Sequence, residues 1–152
     1  MNEVNIYIET TDENVIIPEY ANIGDAGMDL RANITLGVRP GETVIVPTGI
    51  KVAIPEGYEI QIRPRSGLSY KTALRIANAP GTIDSGYRGE IGVIITNITD
   101  KNEDIKPIII SKGDRIAQMI LTDIYAIKWI PTDNVKDIGK DRKGGFGSTG
   151  IK

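Results

Sequence analysis

The 152-residue sequence contains neither cysteine nor histidine. Disulfides are thereby excluded, as are Ser-His-Asp and Cys-His catalysis and the nitrogen and sulfur ligands of the usual protein zinc site. Carboxylate base chemistry and hard, oxygen-bound metal such as Mg²⁺ remain. An excess of one charge is also lacking: 18 basic against 20 acidic residues give a net charge of -2. That balance offers no broad attraction to nucleic acid or to an anionic membrane. No apolar run approaches the roughly 20 residues that span a bilayer, and the first residues lack the basic and apolar regions of a signal peptide. We therefore expect a cytoplasmic protein with no nucleic-acid and no membrane partner.

At this length the chain fits one domain able to bury its own core. Residues 4–8, 43–46, 49–54 and 58–62 alternate apolar and polar positions, with Val, Ile and Tyr as strand-favouring side chains. Turn signals at 39–41, 47–49, 55–57, 80–81 and 112–114 follow at about the 8–12-residue spacing of a sandwich or barrel. An all-β sandwich is the expected fold. A short helix is expected over 67–74 with Ser66 as N-cap, and a buried strand over 115–126, although Ala, Gln, Met and Leu there also suit a helix.

Two segments stand out chemically. Residues 78–90 carry an amide (Asn78), a carboxylate (Asp84) and a phenol (Tyr87) on a glycine-punctuated turn. An ordinary turn explains Asp84 as an Asx cap, whereas a site explains it as a base. From Asn134 onward apolar residues thin out, and five glycines fall between Gly139 and Gly150. Such a tail either frays or folds over a ligand. Gly144-Gly-Phe-Gly-Ser-Thr-Gly150 offers open backbone N–H groups and two hydroxyls for phosphate, and the only Phe of the chain for stacking on a ring. It is not a P-loop, because the glycine at 145 stands where that motif needs lysine.

Five segments, in order, resemble the trimeric dUTPases: Ala26-Gly-Met-Asp-Leu30, Pro64-Arg-Ser-Gly-Leu68, Gly81-Thr-Ile-Asp-Ser-Gly-Tyr-Arg-Gly89, Gly113-Asp-Arg-Ile-Ala-Gln118 and 144–150. The resemblance covers nearly the whole chain. It implies a jelly-roll-like β-sandwich over residues 1–133, a flexible glycine-rich tail over 134–152 that closes on the site, and a homotrimer with active sites shared between subunits. It also implies Mg²⁺-dependent hydrolysis of dUTP to dUMP and pyrophosphate, which keeps uracil out of DNA and supplies dUMP for thymidylate synthesis.

Residue roles carry over by position. The resemblance makes Asp84 the general base for water attack on the α-phosphorus, with Gln118 holding the water or a phosphate oxygen. Arg65, Ser66 and Gly67 bind the triphosphate, and Asp29 meets Mg²⁺ through water. Asn78, Thr82, Ile83 and Gly92 line the uracil on a hairpin over 81–92, and Tyr87 lies against the deoxyribose. From the tail come Arg142, Phe146, Gly147, Ser148 and Thr149. Arg142 stands one residue nearer Phe146 than the family's arginine does, so the tail's phosphate contact falls to it or to Lys143. Asp114 and Arg115 are expected to form a structural ion pair.

Two other readings compete. The dCTP deaminases share the fold and much of the third motif, but their catalytic Glu, ten residues after the matching Asp, is here Ile94. Their second arginine of the second motif is Tyr70. Without that carboxylate no proton shuttle for deamination remains. A non-catalytic β-sandwich binding or regulatory protein is the other, and fold alone does not exclude it.

Overall fold

The computed structural model describes residues 3–100, 102 and 106–141. They form a β-sandwich of jelly-roll type. Its strands are β1 (Tyr7–Thr10), β2 (Met28–Arg31), β3 (Leu36–Val38), β4 (Thr43–Pro47), β5 (Ile50–Ala53), β6 (Tyr58–Arg63), β7 (Leu74–Ile76), β8 (Gly81–Ile83), β9 (Gly92–Asn97), β10 (Ile108–Ile110) and β11 (Arg115–Asp123), with one helix, α1 (Ser66–Lys71). All pairings are antiparallel. A four-stranded sheet in the order β2-β11-β6-β8 carries the site, beside a three-stranded sheet β4-β9-β7 and the pairs β1-β5 and β10-β3.

Alternation explains which face goes inward. In β6, Ile60 and Ile62 are buried while Glu59, Gln61 and Arg63 turn to the other face; in β9, Val93, Ile95 and Asn97 are buried. The core is almost wholly aliphatic, centred on Leu30, Ile60, Leu74, Ile91, Ile95 and Ile116, and each such side chain contributes about 1.5–3 kcal/mol by leaving water. Two polar side chains are buried as well, Thr48 and Asn97. Asn97 donates from Nδ2 to the Val38 carbonyl (2.9 Å), and its Oδ1 accepts from the Thr99 backbone N–H (2.9 Å) and hydroxyl (2.7 Å), so its burial leaves nothing unpaired.

The observed elements correct several sequence expectations. The first strand is Tyr7–Thr10 rather than 4–8, and the last apolar run is a strand ending at Asp123. The helix is one residue earlier and shorter than expected. Ser66 is its first residue; Arg65 holds the N-cap position, with no side-chain cap bond. It ends where the backbone N–H and hydroxyl of Thr72 both bond the Leu68 carbonyl (3.1 and 2.7 Å), after which Leu74 enters β7. At Gly49 the chain turns with φ of +75°, and a Cβ would stand 2.5 Å from Val15 Cγ2, so glycine is needed there on both counts.

Candidate active site

Antiparallel register builds the first half of the site. Gln118 of β11 stands opposite Asp29 of β2 on one side and Arg63 of β6 on the other. The three side chains therefore share one face of the sheet. Beyond β6 the chain passes Pro64 into α1, and Arg65 reaches back across the sheet end. Its Nε donates to Asp29 Oδ1 at 2.6 Å, and its Nη1 donates to the Arg115 carbonyl at 3.3 Å. Arg115 Nη1 lies 3.4 Å from Asp29 Oδ2. One carboxylate thus carries two guanidinium groups, with the Asp29 and Arg65 side chains 29% and 27% exposed. The Asp114–Arg115 ion pair expected from sequence does not form, because the Asp114 carboxylate instead accepts the Ser111 N–H at 2.9 Å.

Gln118 joins two motifs. Its Nε2 donates to the Pro64 carbonyl at 2.9 Å, and its Oε1 faces Gly27, where an added Cβ would stand 2.9 Å away and 3.3 Å from the Met119 carbonyl. Gly27 of the first motif lacks a side chain for this reason. The resulting recess of about 320 Å³ is lined by Asp25, Asp29, Arg65, Ser66, Gly67 and Gln118, with Glu19 at its wall. Across Ser66 and Gln118 a second recess, about 640 Å³, is bounded by Arg63, Ser69 and Pro80. Sequence reasoning paired Arg115 with Asp114 rather than with Asp29, and missed Arg63, Glu19 and Asp25.

The second half lies on the far side of β6. Thr82 and Ile83 of β8 stand opposite Gln61 and Ile60, and Asp84 leaves the strand end exposed. The turn closes with the Tyr87 N–H bonded to the Asp84 carbonyl at 3.0 Å. Tyr87 is 44% exposed; its hydroxyl donates to the Glu90 carbonyl at 2.9 Å, and its ring covers Gly89, where a Cβ would fall 2.5 Å from the phenol oxygen. The expected hairpin over 81–92 is corrected: β8 pairs with β6, whereas β9 pairs with β4 and β7, so the segment crosses between two sheets. Gly92 begins β9 opposite Pro47, and its lack of a side chain makes room for Ile45, since a Cβ would come within 2.5 Å of Ile45 Cγ2. Asn78 is exposed beside Gly81.

The structure therefore brings Asp29, Arg65, Ser66, Gly67 and Gln118 to one recess. Asn78, Thr82, Ile83, Asp84, Tyr87 and Gly92 line neither recess. Arg142, Phe146, Gly147, Ser148 and Thr149, with Lys143, lie outside the described residues. Among the described residues no cluster of three carboxylates could hold a metal. No helix is long and apolar enough to cross a membrane.

The dUTPase family model matches residues 13–150. The deoxyuridine 5'-triphosphate nucleotidohydrolase of Fusobacterium nucleatum is 45% identical over 141 residues, covering 91% of this chain and 92% of that one; its counterpart from a Hydrogenobaculum species is 42% identical over 150 residues, covering 98% and 100%. Among solved structures, a variant dUTPase of Staphylococcus bacteriophage 80alpha with dUpNHpp superposes with a TM-score of 0.85 at 28% identity, over 97% of this chain and 99% of that one. A variant dUTPase of phage phi11 of S. aureus, described with a structural Mg(II) ion, gives 0.77 at 28%, over 87% and 99%.

Proposed function

The chain belongs to the dUTPase family, and from that premise we propose how its residues divide the hydrolysis of dUTP to dUMP and pyrophosphate. The observation that carries the reading is the recess where Asp29, Arg65, Ser66, Gly67 and Gln118 converge. Arg65, aimed by Asp29, donates to the triphosphate through its free guanidinium face. Ser66 adds a hydroxyl. Beside Gly67 the space is open, so a phosphate oxygen can approach the backbone N–H. Gln118 spends one N–H on Pro64 and keeps the other for water or a phosphate oxygen.

Asp84 takes the proton of the water as its oxygen attacks the α-phosphorus in line. The bond from that phosphorus to the bridging oxygen breaks, and pyrophosphate departs. Positioning and charge suffice here, so no protein nucleophile is needed. Asn78, Thr82, Ile83 and Gly92 meet the uracil, whose acceptor pattern cytosine would reverse. Tyr87 lies against the deoxyribose, where a 2′-hydroxyl would clash. The tail, residues 134–152, closes on the body, residues 1–133: Phe146 stacks on the base, and Gly147, Ser148, Thr149 and either Arg142 or Lys143 meet phosphates.

The donor set fits Mg²⁺ that arrives on the substrate. Such an ion keeps several waters beside phosphate oxygens, and Asp29, at the recess, would meet it through one of those waters. When bound, Mg²⁺ neutralises charge on the phosphate oxygens.

The active protein is a homotrimer in which uracil-side residues of one subunit, the phosphate recess of a second and the tail of a third make one site. The separation of Asp84 from the Asp29 recess within a single chain supports this. So does the stretch after β11, where Tyr125, Ile127, Trp129 and Ile130 are 86%, 73%, 82% and 81% exposed, an apolar run that association would cover. Its setting is the cytoplasm, where deoxynucleoside triphosphates are handled. Pyrophosphate release from dUTP, dCTP and UTP tests the reading. Turnover of dUTP alone is expected; ammonia release from dCTP would point to a deaminase, although Ile94 stands where that needs a carboxylate.

A further inference from the structure

The loop between β8 and β9 is fastened by side chains that the reaction above leaves unused. Arg88 folds back over its own turn: Nη1 donates to the Ser85 carbonyl at 2.6 Å and to the Tyr87 carbonyl at 2.8 Å. The same turn carries Asp84 at one end and Tyr87 at the other, joined by the backbone bond between them. Arg88 also lines a recess of about 210 Å³ over β1 and β5, together with Tyr7, Glu9 and Lys51. A second tie follows. Glu90 accepts the Gly49 N–H on Oε1 at 2.6 Å, while its carbonyl receives the Tyr87 hydroxyl. The far end of the loop is therefore pinned to the start of β5, and at the near end the Arg88 clamp is the side-chain tie, added to the backbone bond from Tyr87 to Asp84.

We propose that Arg88 is a positioning residue for hydrolysis: by clamping the Ser85 and Tyr87 carbonyls, its guanidinium fixes the Asp84 carboxylate and the Tyr87 ring in one relative geometry. The inference rests on the assignment of Asp84 as base and Tyr87 as sugar-facing residue. Two carbonyls converging on one nitrogen need a donor with two hydrogens, which the Nη1 of a guanidinium supplies, its charge strengthening both bonds. Lysine keeps the charge and the donors but not the rigid plane. Alanine returns both carbonyls to water and frees the turn. Arg88 is exposed, so its removal takes no side chain from the core.

The test compares Arg88→Ala and Arg88→Lys in the full chain, with Asp84→Asn as reference. In Arg88→Ala, kcat for dUTP should fall by about 10- to 100-fold, the range for a reacting group displaced by about 1 Å. The dUTP:UTP ratio of kcat/KM should fall with it, because Tyr87 shifts too, while Tm stays within a few degrees of wild type. Arg88→Lys should recover part of both. A merely structural arginine would lower Tm and leave the sugar ratio unchanged, and that result overturns the proposal. So does a kcat and a ratio within twofold of wild type. If Arg88→Ala yields no folded protein, the sugar ratio in Arg88→Lys decides, an unchanged ratio counting against the clamp. Full activity in Asp84→Asn would instead remove the underlying assignment, a failure distinct from that of Arg88.

Discussion

Asp29 Oδ1 accepts the Nε–H of Arg65 at 2.6 Å, and this pair ties the carboxylate of the first motif to the arginine of the second, the cation proposed to meet phosphate. Its geometry preorganises Arg65: Nε is occupied by Asp29 and one Nη1 hydrogen by the Arg115 carbonyl, which leaves Nη2 and the second Nη1 hydrogen for the proposed phosphate contacts. Arg115 neutralises the second oxygen from 3.4 Å. The pair is only about a quarter exposed, so water screens it less than a surface bridge.

Asp29→Asn should therefore weaken substrate capture. The amide oxygen can still accept from Arg65, but the charge-assisted bond, worth about 1.5–3 kcal/mol, becomes a neutral one. We expect KM for dUTP to rise by about tenfold, with a smaller loss of kcat, in steady-state pyrophosphate release at saturating Mg²⁺. An unchanged KM would show that Asp29 does not aim Arg65.

Asp84→Asn should keep the fold and the nucleotide while losing turnover, because an amide positions water without accepting its proton. The expected loss is roughly 10²–10⁴-fold in kcat. Calorimetric binding of dUpNHpp should stay near wild type; activity within a few-fold of wild type would move the base elsewhere.

Gly27→Ala probes the contact between the first and fourth motifs. The new methyl would stand 2.9 Å from Gln118 Oε1 and 3.3 Å from a backbone carbonyl, so Gln118 must leave Pro64 or the strand must shift. Overpacking of this kind costs about 1–3 kcal/mol. A lowered denaturation midpoint together with reduced kcat is expected; a variant with wild-type values of both would mean the recess adapts freely.

How far these relationships were legible depends on the element. Strands β4 and β6 show in the sequence because half-buried strands alternate, and Ile60 and Ile62 keep that period without interruption. Strands of three residues, such as β7 and β8, have too few positions to show a period, so the helix expected over 67–74 runs on to Leu74, the first residue of β7, whereas in the structure it ends at Lys71. Arg115 illustrates a different obstacle. Three residues from Gln118, strict alternation puts it on the opposite face, yet a bulge between Arg115 and Ala117 adds one residue and returns it to Asp29. Asp29, Arg65, Ser66, Gly67 and Gln118, which line the recess, sit in contiguous motifs and stood out for that reason; their fasteners, Gln118 to Pro64 and Arg65 to Asp29, join positions 54 and 36 residues apart.

Tyr87→Ala should improve the handling of UTP relative to dUTP, since the proposed barrier is steric and sits at the 2′ position. The measurement is the ratio of kcat/KM for the two nucleotides. Gly89→Ala should act in the same direction, because its Cβ would collide with the phenol and displace the ring. Parallel falls with an unchanged ratio in both variants would make Tyr87 a packing residue.

A final experiment asks whether two damaged chains restore one another. Truncation after Lys140 removes Phe146, Ser148 and Thr149 but leaves Asp84; Asp84→Asn leaves the tail. Each homotrimer should be nearly inactive. If the uracil-side loop and the tail of one site come from different subunits, mixed trimers made by co-expression contain sites with both a sound Asp84 and a sound tail. Random assortment of equal amounts makes roughly a quarter of sites complete, because each of the two contributing positions is filled correctly half the time. Activity should reappear on mixing and follow the input ratio, with a maximum at equal amounts. Mixed trimers confirmed by native mass spectrometry yet inactive would show that the tail serves its own subunit's loop. High activity in the truncated homotrimer would show instead that the tail is dispensable.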